Sequence, residues 1–124
     1  MKKLFITYEQ AVALKKLGFD EPCLATFQIA QDGRIGGLSD LYMVESNNSN
    51  NKSHTAISAP LYQQAFAWFR ETFDIHGSVS GRYMFEISGA AENQASFSKE
   101  YETYEEAELA CLDKLIEIVK EKQK

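Results

Sequence analysis

Polar and apolar residues along this chain fall into three stretches of helical period separated by shorter stretches that alternate. From Tyr8 to Leu17 the apolar positions Tyr8, Ala11, Val12, Leu14 and Leu17 recur every three or four residues, which predicts an amphipathic helix. Thr7 stands before it as an N-cap, and Gln10 three residues on completes a capping box. Gly18 suits the left-handed stop, Phe19 is expected to fold back onto the helix, and Pro22 blocks its continuation. CLATFQIA then alternates, with Cys23, Ala25, Phe27 and Ile29 on one side, and reads as a strand. Asp32-Gly33 predicts a hairpin turn. GRIGGLSD is a loose, glycine-rich approach to a second strand, LYMVES. The polar run NNSNNKSHTAIS, residues 47–58, predicts a long surface loop.

The second helix is expected to open at Ser58 or Ala59, with Pro60 in its first turn. Tyr62, Ala65, Phe66, Phe69 and Phe73 form its stripe, and Leu61, Trp68 and Thr72 widen it. His-Gly-Ser ends it, and a helix C-terminus favours a protonated imidazole at His76. SVSGRYMFEIS alternates as one strand, with Val79, Tyr83, Phe85 and Ile87 on one side. GAAENQ is a turn, and ASFSKEY alternates again with Phe97 and Tyr101 together. Thr103 and Glu106 predict a second capping box. The last helix packs through Tyr104, Ala107, Cys111, Leu112, Leu115, Ile116, Ile118 and Val119.

The order αββαββα predicts an α+β fold, a two-layer sandwich with a four-stranded antiparallel sheet carrying its helices on one face. Tyr-x-Gln-Ala opens the first helix at Tyr8 and the second at Tyr62, and Tyr104-Glu105-Glu106-Ala107 opens the third. A duplicated αββ unit would explain this. So would the similar demands that capping and amphipathicity place on any helix start.

Length and composition narrow the class. A chain of 124 residues suits one domain, residues 1–124, that buries roughly two-thirds of its unfolded surface without help from a metal or disulfide. The 44% hydrophobic and 12% aromatic content favours a packed core over disorder. The formal charge of −5 argues against a nucleic-acid partner, which needs basic patches to displace counterions. The densest cations, from Lys114 to Lys124, are interleaved with Glu117 and Glu121. MKKLFITYEQ lacks a signal-peptide core, and no apolar run approaches the ~18 residues of a membrane span. A cytoplasmic protein with no membrane association is expected, with Cys23 and Cys111 as reduced core thiols.

The chemistry is sparse. There is no Walker loop, dinucleotide fingerprint, His-Glu-x-x-His or Cys-x-x-Cys, so no cofactor is expected. His54 and His76 are the only histidines and lack partners at metal-ligand spacing, so no metal is expected either. Both cysteines fall on apolar faces, and Glu105-Glu106 sits where a helix dipole accounts for it. No nucleophile–base pair can be assembled, and the chain is read as no enzyme. Tyr83, Phe85, Phe97 and Tyr101 could stack bases, but core packing explains them better. Leu61 and Trp68 flank the main stripe of the second helix and are the candidate interface anchors. Lys52 and His54 in the polar loop are the candidate small-ligand contacts, for example to a signalling nucleotide.

Three stretches, TYEQAVALKKLGFDEPC, APLYQQAFAWFRE and YETYEEAELACLDKLIEIVKE, resemble a family of short uncharacterised proteins encoded by phages and prophages of Bacteroides-type gut bacteria. They cover about half the chain and contain no chemical motif. The resemblance implies a small cytosolic accessory protein of a mobile element, with no catalytic residues to carry over. The expected function is therefore a non-enzymatic protein-interaction module, self-associating or bound to another protein. Binding or sequestering a small ligand is the alternative.

Overall fold

A computed structural model describes residues 4–28, 41–47, 56–89 and 92–123. The described elements are three helices and two small antiparallel sheets, an α+β fold. They divide into two compact units, Met1–Leu61 and Tyr62–Lys124.

The first unit holds α1 (Tyr8–Leu17), β1 (Cys23–Gln28), β2 (Leu41–Asn47) and β3 (Ala56–Ser58). The capping box forms: the Gln10 N–H donates to Thr7 Oγ1 at 3.2 Å, and the Thr7 N–H donates to Gln10 Oε1 at 3.0 Å. Gly18 ends α1 at φ 103°, a conformation that penalises any side chain. The next N–H, of Phe19, reaches back to the Leu14 carbonyl at 3.0 Å, and its ring is buried as expected. β1 lies between β2 and β3. Cys23, Ala25 and Phe27 are buried and Leu24 is exposed, so the alternation holds; Thr26, on the other side, is buried too. Tyr8 meets Phe27 edge-on with centroids 5.6 Å apart.

Ser58 does not start a helix. It pairs with Thr26 in β3, and the sheet continues as the Ala59 N–H donates to the Ala25 carbonyl at 2.9 Å. Ser58 and Pro60 look like a cap and a first turn. Their backbone nevertheless belongs to the first unit, where Ile6 N–H bonds the Pro60 carbonyl and Phe5 bridges to Leu61. Asp32-Gly33, GRIGGLSD up to Asp40, and residues 48–55 of the expected loop lie outside the described residues.

The second unit holds α2 (Tyr62–Phe73), β4 (Ile75–Val79), β5 (Phe85–Gly89), β6 (Glu92–Phe97) and α3 (Tyr104–Lys122). Its sheet is a meander in the order β4-β5-β6. Among the described residues two three-stranded sheets stand where a single four-stranded one was expected. Asp74, at φ 54°, stops α2, so His76 stands in a strand and not at a helix end. SVSGRYMFEIS is not one strand. It folds back between Ser80 and Met84, with the Ser80 N–H on the Met84 carbonyl at 2.8 Å and Tyr83 at φ 57°. A left-handed Tyr gives no turn signal of the Asn-Gly kind, and the alternation runs through the reversal unbroken. Tyr83 is consequently exposed, while Phe85 and Tyr101 stack 6.2 Å apart. Phe97 lies in β6, and its side chain is outside the described residues.

Thr103 caps α3 by accepting from the Glu106 N–H at 3.1 Å, but Glu106 Oε2 accepts instead from the Glu102 N–H at 3.3 Å. The box is therefore half made. Ala107, Cys111, Leu112, Leu115, Ile116 and Val119 are buried as the stripe predicts, and Tyr104 is exposed. Glu108, which the stripe left out, is buried with 6% exposure.

Candidate interaction surface

The residues nominated from sequence separate. Lys52 and His54 lie outside the described residues. Trp68 keeps only 5% of its surface exposed, with Phe69 and Phe73 set edge-on to it at 5.1 and 5.3 Å. Leu61 is half-buried and belongs to the first unit. The reason lies in α2, whose stripe is wide enough to take in Trp68 beside Phe69. An indole buried against two rings is packed core and not an exposed anchor.

The groups with acid–base character gather on the first turns of α3. Burial raises the Glu108 carboxyl above its ordinary range; Glu105 adds to this and a hydrogen bond with Gln63 opposes it. Burial, and then Glu108, pushes the Cys111 thiol up to about 12. Partial desolvation also raises the Tyr104 hydroxyl, exposed though its residue is, helped by Glu108 and Cys111. A thiol in that state carries almost no thiolate near neutral pH. Cys23 is also buried, its Sγ donating to the Glu21 carbonyl at 3.4 Å. His76 is exposed, 3.4 Å from Asp74. Among the described residues no group of three or more His, Cys, Asp or Glu could hold a metal ion, and no helix is long and apolar enough to cross a membrane.

Several hollows lie among the described residues. One of about 230 Å³ lies at the β4–β5 hairpin, lined by Ser78, Val79, Ser80, Met84, Phe85 and Glu86. Another of about 90 Å³ lies between Phe73, Ile75, Ile118 and Val119. Both fall below the ~300 Å³ at which small-molecule sites begin. A wider space of about 370 Å³ is lined by α3 alone, including Asp113 and Glu117.

No family model, curated protein or solved structure matches this chain.

The backbone geometry singles out the outer edge of β4. The Ser80 N–H bonds Met84 across the hairpin, whereas Tyr83 and Phe85 bond the other way, to Tyr101 and Ser98. Antiparallel strands alternate, so in β4 the even-numbered residues face β5. Ile75, Gly77 and Val79 turn their N–H and C=O groups outward. Among the described strands only β5 pairs with β4. The neighbouring exposed side chains are His76 and Ser78. IHGSV contains no Lys, Arg, Asp, Glu or Pro, the residues that ordinarily guard a sheet edge against pairing. The other described strands with an open side differ: β2 carries Glu45, β6 carries Glu92, and β3 is only three residues long.

Proposed function

We propose that this chain is a non-enzymatic protein-interaction module, an accessory protein of the phage or prophage type that acts in the cytoplasm. The observation that carries the reading is the outer edge of β4, which no other described strand pairs and which carries no charged residue. A row of outward N–H and C=O groups on a sheet is a template for strand addition, in which main-chain hydrogen bonds supply affinity. The neutral state of Cys111 gives no comparable support to a reactive thiol. The repeated Tyr-x-Gln-Ala start, followed in each unit by described strands, is what a duplicated αββ unit would leave. The described strands of the two units differ in order, β2-β1-β3 against β4-β5-β6.

Native mass spectrometry of the purified full chain tests the reading. A discrete oligomer, or a complex with a captured protein, is the expected result. A monomer carrying a stoichiometric extra mass of a few hundred daltons would overturn it in favour of small-ligand binding. A nucleotide that raises the melting temperature would point the same way.

A further inference from the structure

Resting on the interaction-module reading, we infer that the partner at the β4 edge is a second copy of the same chain, paired antiparallel about Gly77. The strand is self-complementary. Ile75-His76-Gly77-Ser78-Val79 reads apolar, polar, glycine, polar, apolar in either direction. A two-fold axis through Gly77 sets Ile75 opposite Val79 of the other copy, Gly77 opposite Gly77, and His76 opposite Ser78. This is the isologous match that a two-fold dimer requires.

The residues that meet with outward N–H and C=O groups are Ile75, Gly77 and Val79, so each facing pair can exchange two backbone hydrogen bonds. The apolar side chains continue the same face of the sheet as Gly77, over which Cys111 and Leu115 of α3 lie. Glycine at the axis removes the side-chain crowding that would otherwise oppose close approach at the centre. His76 and Ser78 are exposed and become cross-strand neighbours on the opposite face. Two three-stranded sheets would join into one of six strands. Among the described strands of five residues or more, pairing covers the one open edge that carries no charged residue.

The test uses charge across the axis. In H76K/S78K the lysine introduced at position 76 of each copy faces the lysine introduced at position 78 of the other, and like charges directly opposite destabilise a sheet pair. In H76K/S78E the same two positions set a lysine opposite a glutamate. The wild type is expected to sediment as a dimer, and H76K/S78K to dissociate about tenfold more readily. H76K/S78E is expected to dimerise as well as the wild type or better. Within each copy position 78 lies opposite Glu86 of β5, so a lysine there adds an opposite charge and a glutamate a like charge to that pair; melting temperatures of the two variants separate this effect on folding from the effect on dimerisation. Hydrogen exchange gives a second readout in the unaltered chain: the Gly77 and Val79 amides should exchange more slowly as concentration drives dimerisation. A wild-type chain that stays monomeric at about 100 µM overturns the inference. So does a dimer in which those two amides remain fast, or one that H76K/S78K leaves unchanged. That last result would leave an interaction module working through another surface. Equal weakening by both double variants would overturn the register about Gly77.

Discussion

Glu108 shows how one side chain can depart from its sequence pattern. It follows Glu105 and Glu106 in a run that reads as a solvated helix face, yet only 6% of it is exposed. Burial holds its proton more tightly in the folded state than in the unfolded one, and Tyr104, Glu105, Cys111 and Gln63 are its titratable or polar neighbours. The sign follows from linkage. A folded-state pKa above the unfolded value contributes stability that is fully present below the unfolded pKa and is lost as pH rises through the folded one. Glu108→Gln removes that dependence. It should raise the melting temperature at pH 7.5, by about 4 °C for each 1 kcal/mol recovered, and give no gain at pH 4. Melting curves of both proteins at the two pH values check this; an equal shift at both would show that the carboxyl charge is not what matters.

At the scale of elements, two glycines decide how closely pieces of the second unit approach. A Cβ at Gly77 would come within 2.9 Å of both Cys111 Sγ and Leu115 Cδ1, and one at Gly89 within 2.7 Å of the Asp74 carbonyl oxygen. Gly77→Ala should cost about 1–3 kcal/mol by overpacking. Combining it with Cys111→Ala should recover part of that, because Sγ is one of the two atoms met. Gly89→Ala should cost more than Gly77→Ala, since a backbone oxygen cannot rotate aside. Chemical denaturation of the three variants gives the order directly. The helices themselves were largely legible. Thr7, Gly18 and Thr103 are local signals acting on local backbone, and all three stand where the pattern put them. The strands were less so. β3 hid behind a plausible helix cap at Ser58, and β4 and β5 hid in one unbroken alternation from Ser78 to Ser88. Thr26, the partner of Ser58, lies far back along the chain, and nothing within the alternation from Ser78 to Ser88 says where it must reverse.

For the whole molecule, the question is whether Met1–Leu61 and Tyr62–Lys124 unfold together. A unit of about 60 residues buries only about 60% of its unfolded surface and is marginal alone. The chain is therefore expected to behave as one cooperative domain, with a single calorimetric transition whose van't Hoff and calorimetric enthalpies agree. Two resolved transitions would show two domains. Trp68→Ala tests the same point from inside: loss of a buried indole should cost about 3–5 kcal/mol and lower the whole transition, not a part of it.

By itself the sequence determined the α+β class, the three helices with their caps at Thr7, Gly18 and Thr103, the burial of both cysteines and the absence of any recognisable catalytic motif. These depend on residue type and short-range spacing, which a chain displays openly. Only the tertiary structure decided that Trp68 is core, that Glu108 is buried, that the described strands form two sheets, and that β5 alone among them pairs with β4. Each of these depends on which distant segment comes to lie alongside. That choice is made by packing and backbone hydrogen bonding over the whole fold, and alternation along one strand carries no record of it.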